Sequence, residues 1–177
     1  MLLTRVIPSL LLDESSLVKT IKFRKASYIG DPVNTARIFN ELEVDELLVL
    51  DISASKNNNI INFETIAELA NECFMPLSYG GGINQFDQVK QIFEIGIEKV
   101  VINSHALEER SFITKLSEHF GSQSIVAAID VKKNIFGNYR VTSYSGTKTH
   151  NICVVEWAQE LQNLGAGEIL LTAIHRE

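Results

Sequence analysis

Glu46–Ile52 reads ELLVLDI and Ser124–Val131 reads SIVAAIDV. Each is an apolar run of strand length with no polar residue alternating through its middle. Such runs are buried on both faces, as in parallel sheets whose connections cover both sides. Each also carries an aspartate near its end, Asp51 in one and Asp130 in the other.

Outward from these two runs, apolar strand-length stretches alternate with segments of helical period. Val6–Leu12 reads as a first strand. Asn34–Val44 follows as a helix, with Ala36, Phe39 and Leu42 on one face. After the ELLVLDI strand, Asn62 caps a helix running to about Cys73, with Ile66, Leu69 and Ala70 inward. Pro76–Tyr79 is a short strand that runs into Gly80-Gly81-Gly82-Ile83. Phe86–Ile95 is a helix stopped by Gly96. Lys99–Asn103 is a strand, and Glu109–Phe120 a helix stopped by Gly121. After SIVAAIDV come a helix over Val154–Leu164, stopped by Gly165, and a strand over Glu168–Ile174.

Strands separated by helices give a doubly wound sheet or a barrel. No GxGxxG follows the first strand, so the dinucleotide-binding version lacks its main support. Two stretches interrupt the alternation, Leu17–Phe23 with Arg24–Asp31, and Ile135–Lys148. Both hold β-prone segments between polar flanks, and both read as hairpin excursions on βα loops, the functional face of a barrel. An internal repeat favours the barrel. The segment ending ELEVDELLVLD resembles the one ending QNLGAGEILLT, with Glu168 lying 122 residues after Glu46. Two four-unit halves need about 240 residues, within the size of an eight-fold barrel. The expected fold is therefore a parallel (β/α)8 barrel, incomplete here, with residues 1–177 as one partial domain of about six strands.

The totals narrow the function. The 177 residues suffice for one domain with a core. A net charge of −6 argues against a nucleic-acid partner. No apolar run reaches the roughly 18 residues of a membrane span, and no signal segment opens the chain, so a cytoplasmic protein with no membrane partner is expected. Cys73 and Cys153 imply no disulfide framework and read as small packing residues. His105, His119, His150 and His175 share no metal spacing and receive no role, and neither metal nor cofactor is expected.

Glycines directly after a strand let backbone N–H groups approach an anion, which makes Gly81 and Gly82 candidates for holding phosphate. Asn103 and Ser104 end the next strand and add donors. Asp51 and Asp130 end buried strands, where a carboxylate is costly unless it is paired or used. Either is a candidate general acid or base. Lys19, in the first excursion, could reach an anion from above, and Thr142 and Ser145 in the second are hydroxyl donors. At the opposite strand ends, Arg5, Glu46, Lys99 and Glu168 each precede an apolar run. In a barrel they would form a ring of alternating charge at the bottom.

The chain resembles HisF, the cyclase subunit of imidazole glycerol phosphate synthase. The likeness covers essentially the whole chain. It rests on RVIPSL, GDPVNTARIFNE, DELLVLDISAS, PLSYGGGI, KVVINSHA, FGSQSIVAAIDVK and GAGEILLTAI. The resemblance implies a (β/α)8 barrel in a heterodimer with a glutaminase of the HisH type. Ammonia from the glutaminase crosses the barrel and meets a bisphosphorylated ribulosyl aminoimidazole carboxamide. The products are imidazole glycerol phosphate and an aminoimidazole carboxamide ribotide, a step of histidine biosynthesis. By the resemblance, Arg5, Glu46, Lys99 and Glu168 match the ammonia gate, Asp130 one of two catalytic aspartates, and Gly82, Asn103 and Ser104 a phosphate site. Lys19 and Asp51 match further active-site positions.

Two departures stand out. The second catalytic aspartate falls at Leu11, and leucine cannot transfer a proton. Asp13 shares its strand parity but lies about 7 Å further along. The family's second phosphate is held by the loops of strands seven and eight, which the expected six-strand chain lacks. The start LLLDESSLVKTIKF is similar to a HisF paralogue group found with sugar-modification genes, where barrel and glutaminase supply ammonia to a separate sugar amidotransferase. A kept gate with an altered acid/base pair fits that role. A truncated, inactive fragment is the remaining expectation.

Overall fold

A computed structural model describes residues 4–54, 60–134 and 136–176. Ser55, which ends the DELLVLDISAS match, and Ile135, which opens the second excursion, lie outside the described residues. Two compact units are present. One comprises Met1–Lys19 and Ala26–Val100, the other Thr20–Lys25 and Val101–Glu177.

In the first unit, β1 (Ser9–Asp13) turns back through Glu14 and Ser15 into β2 (Ser16–Ile21), pairing antiparallel with Leu11 opposite Val18. Glu14 takes a left-handed φ of 59°, which closes the tight turn. β2 leads through Lys22 and Phe23 to β3 (Arg24–Gly30). Both linking residues have positive φ, 54° and 60°, the backbone of a two-residue hairpin turn whose twist suits its strands. β2 and β3 form the hairpin expected for the first excursion, and because β2 also pairs with β1 the three strands make a meander. Residues 6–8 precede the regular strand. Val6 N–H donates to Asp45 Oδ2 at 2.6 Å, and the Pro8 carbonyl accepts from Leu48 N.

Asp31 caps α1 (Pro32–Glu41), its carboxylate accepting from Asn34 N at 2.8 Å, with proline in the first turn, where a missing N–H costs nothing. β4 (Leu47–Asp51) pairs in parallel with β1, Leu11 beside Leu50. Asn62 caps α2 (Phe63–Glu72) through Thr65 N at 3.1 Å. β5 (Leu77–Gly80) joins β4 in parallel, Val49 beside Tyr79. Gln85 and Gln88 form a capping box for α3 (Phe86–Ile95), and Gly96 ends it at φ 109°. Leu47, Val49, Leu77 and Tyr79 are almost fully buried with Ile66, Leu69, Val89 and Ile92 of the helices. This is the two-sided burial that the apolar runs predict.

The unit boundary falls within β6 (Lys99–Ile102). The second unit continues with α4 (Ser104–Glu108) and α5 (Ser111–Phe120), where the sequence pattern reads one helix from Glu109. β7 (Ile125–Lys133) runs past the apolar stretch and pairs antiparallel with β8 (Tyr139–Ser143), which pairs with β9 (Lys148–Thr149). α6 (Val154–Asn163) returns the chain, and β10 (Glu168–Ala173) lies parallel to β7, Thr172 beside Asp130. Ile113, Leu116, Ile125, Ala127, Trp157 and Leu161 form this unit's core. Among the described residues, no helix is long and apolar enough to cross a membrane. The architecture is mixed α/β with a mostly parallel sheet.

The Asn62 cap accounts for the start of α2. Replacing it by alanine should lower stability by about 1 kcal/mol, read as a shift in urea midpoint at unchanged slope. No shift would mean the helix is positioned by packing alone.

Candidate active site

At the N-terminal strand ends of the first unit, three charges meet. Glu46, immediately before β4, is 3% exposed. Its Oε2 accepts from Lys99 Nζ at 2.7 Å and from Arg5 Nη1 at 3.1 Å. Its Oε1 accepts from the Ser78 hydroxyl of β5. A buried carboxylate requires this much compensation, since breaking such a pair strands a charge. The structure thus brings three of the four predicted gate residues together and adds Ser78, which the sequence pattern did not single out. Glu168 opens β10 in the second unit.

At the C-terminal ends of the same strands, Asp51 is buried. Its Oδ1 accepts from Ser53 N at 2.8 Å, Ser53 Oγ at 2.7 Å and Ala54 N at 2.9 Å. These three bonds make Asp51 the organiser of the loop after β4. Oδ2 meets the Tyr79 hydroxyl at 3.5 Å. Burial, then the Asp51 charge and hydrogen bond, push the Tyr79 phenol well above its ordinary range, so it stays protonated and donates. Gly81 passes directly over this corner. A Cβ there would lie 2.2 Å from the Asp51 carbonyl oxygen, at a φ of 124°. Its glycine is therefore demanded by close backbone approach. Gly82, at φ 68°, is buried beside it. Lys19 is exposed on β2, and Leu11 sits mid-strand in β1, paired with aliphatic neighbours on both sides. Asp13, at the end of β1, pairs with Ser16 beside the turn.

In the second unit, Asp130 on β7 is 8% exposed. Its Oδ2 accepts from Asn103 Nδ2 at 2.7 Å, while Asn103 Oδ1 is buried with no hydrogen-bond partner among the described residues. The Thr142 hydroxyl, fully buried, donates to the Asp130 carbonyl at 3.1 Å and so ties β8 to β7. Ser104 accepts from Tyr144 N at 3.0 Å, which fastens the second excursion to the end of β6. Ser145 follows in that turn at φ 54°.

Two contacts here were not visible as motifs. The Tyr144 hydroxyl donates to Glu108, a contact that raises the phenol's pKa. Ser143 Oγ lies 2.8 Å from His150 Nε2. Burial lowers the pKa of His150, helped by Lys148 and opposed by Glu108. Elsewhere, burial and then Glu72 push the Cys73 thiol up to about 11, which keeps it protonated and unreactive at neutral pH.

The comparisons with known proteins fit this arrangement. A family model described as "Histidine biosynthesis protein" matches residues 5–177. The chain belongs to that family. Within it, the chain falls in the HisF group. A Pseudomonas aeruginosa protein named provisionally as an imidazole glycerol phosphate synthase HisF subunit is 51% identical over 173 residues, 98% of this chain and 69% of that protein. A similarly named protein of Leptospira borgpetersenii is 49% identical over all of this chain and 70% of its own length. The imidazole glycerol phosphate synthase subunit HisF of Chlorobaculum tepidum is 41% identical, again over all of this chain and 70% of its own length. The family fold is the TIM barrel, in agreement with the parallel strands described above.

The Asp51 bonds predict a contrast between two of its partners. Ser53→Ala removes a 2.7 Å bond to a buried carboxylate and should cost about 1.5–3 kcal/mol. Tyr79→Phe gives up only the 3.5 Å contact and should cost less, both measured by chemical denaturation. Equal losses would contradict the account. His150 should titrate below the ordinary histidine value of 6.5 in an NMR pH series. Because its folded pKa is depressed, its contribution to stability is present above the unfolded value and is lost as pH falls through the folded one. A midpoint above 6.5 would refute the described surroundings.

Proposed function

We propose that this chain is a HisF-type subunit that receives ammonia from a HisH-type glutaminase and works on a phosphorylated small molecule, as in imidazole glycerol phosphate synthase. The observation that carries the reading is the buried Glu46 carboxylate shared by Arg5 and Lys99. Charges confined to the starts of parallel strands serve no purpose in the core. Their positions match, residue by residue, the gate that the family resemblance implies, with Glu168 as its fourth member.

At the opposite strand ends, Asp130 is the proposed general acid or base. Asn103 positions it by donating to one of its carboxylate oxygens. As the family resemblance implies, Gly82 in the first unit, and Asn103 and Ser104 in the second, are each proposed as phosphate-site residues; the unpartnered Oδ1 of Asn103 is suited to a ligand N–H rather than to the phosphate itself. Gly81 and Asp51 fix the loop backbone next to Gly82. Lys19, Thr142 and Ser145 are proposed as flanking substrate contacts, although Thr142 already spends its hydroxyl on the Asp130 carbonyl.

Leu11 favours a second reading. A ring closure that needs two proton-transferring carboxylates has one here, with Leu11 among aliphatic neighbours where the other would stand. On this reading the chain docks and activates the glutaminase, and ammonia passes to a separate acceptor such as a sugar amidotransferase. The relatives with the provisional HisF name are also more similar to this chain than those bearing the plain name, 45–51% against 39–41% identity.

Ring closure from the bisphosphorylated substrate and ammonium salt separates the two. Under the first reading, imidazole glycerol phosphate forms, and Asp130→Asn reduces its rate by about 100-fold or more. Under the second, the protein gives only background, and Leu11→Asp restores measurable turnover. Turnover that persists in Asp130→Asn would contradict its assignment as general acid or base.

A further inference from the structure

We propose that Lys132 and Arg140 form a subsite for a phosphate monoester group, on the ribbon made by β7 and β8. The antiparallel register sets Lys132 directly opposite Arg140. Residues so paired share one face of the ribbon, with Cβ atoms about 4.5–5.5 Å apart, and like charges there repel. Among the described residues, neither cation has an ion-pair or hydrogen-bond partner. Two adjacent cations held in fixed register, with no such partner among the described residues, favour an anion between them.

The third cation of the ribbon shows the contrast. Lys133 pairs across the strands with Tyr139, and its ammonium lies 5.7 Å from the centre of that ring. It is the neighbour of Lys132 in sequence, but strand alternation puts it on the other face, where an aromatic partner already engages it. The unengaged pair, by contrast, shares its face with the next pair along, Asp130 and Thr142. It therefore stands two residues, about 7 Å of strand, from Asp130, whose carboxylate Asn103 positions.

The charge count selects the ligand class. A phosphate monoester carries about −1.5 to −2 at neutral pH, which matches two cations. A carboxylate would neutralise only one. The guanidinium of Arg140 adds a planar fork suited to two phosphate oxygens, and Lys132 supplies a point charge. An extended polyanion would need a wider basic surface than a chain of net charge −6 offers. Neither residue belongs to the phosphate site that the family resemblance implies, and the subsite stands whether or not the chain closes a ring.

The test is a binding titration without turnover. The protein is titrated at low ionic strength with glycerol 3-phosphate and, separately, with inorganic phosphate and acetate. The amide resonances of Lys132 and Arg140 are followed, which separates this subsite from the Asn103–Ser104 corner. Both resonances should move with either phosphate and stay still with acetate. Tighter binding of the ester would identify a phosphorylated metabolite as the source, and equal binding a free phosphate group; both fit the subsite. Lys132→Gln and Arg140→Gln should each weaken binding about tenfold and melt no lower than the parent, since each relieves a repulsion. Lys133→Gln, the same charge change on the other face, should change binding less than twofold. Unmoved resonances, acetate binding as tight as phosphate, or equal weakening by Lys133→Gln would each overturn the proposal.

Discussion

A parallel strand covered on both faces can carry charge only at its ends, and this constraint shapes everything polar in the molecule. β4 shows it within a few residues. Glu46 precedes the strand, Asp51 closes it, and Leu47, Leu48 and Val49 between them are buried. Each carboxylate then has to be compensated where it stands. Lys99, Arg5 and Ser78 do so at one end, and Ser53, Ala54 and Tyr79 at the other. The same rule places Asp130 late in the apolar part of β7, with Asn103 as its donor. A dry strand thus separates the two compensated carboxylates, and with them the proposed docking end from the proposed chemical end.

The constraint also explains why Leu11 weighs so heavily. Its backbone is paired on both sides, with Val18 and with Leu50, so the position cannot shift without moving the register. A one-residue slip would turn every side chain of β1 to the other face. Asp13 is thus fixed at the turn, opposite Ser16, and does not drop back into the place of residue 11. The chemical difference from the family pattern is held in place by the sheet itself.

Much of the fold was legible because its signals are local. Asn62 and Gly96 mark helix ends through a hydrogen bond and a φ value that the residue type announces, while the caps at Asp31 and Gln85 were seen only in the structure. The strands announced themselves by unbroken apolar runs. What escaped the reading depends on backbone states that residue type does not disclose. Glu14, Lys22 and Phe23 all adopt positive φ without being glycine, and they turn the first excursion into a meander continuous with β1. The break between α4 and α5 at Glu109–Arg110 has no glycine or proline to betray it.

For the candidate site, the sequence named the carboxylates together with Arg5, Lys99 and Asn103, but not the serines that complete their bonding. Glu46, Asp51 and Asp130 stood out because charge at the end of a buried run is conspicuous. Ser78 did not, since its meaning comes from a neighbour distant in the chain, and Ser53 did not, since its bond to Asp51 depends on how the loop turns. Thr142, read as a hydroxyl donor, donates to the Asp130 carbonyl, a backbone contact that the sequence did not announce. The measurement that bears most directly on the whole account is the rate of glutamine hydrolysis by a HisH-type glutaminase with and without this protein. The account predicts a clear rise on mixing that is largely lost when Arg5 is replaced by alanine. A glutaminase rate indifferent to the protein, at concentrations where the two are shown to bind, would contradict it.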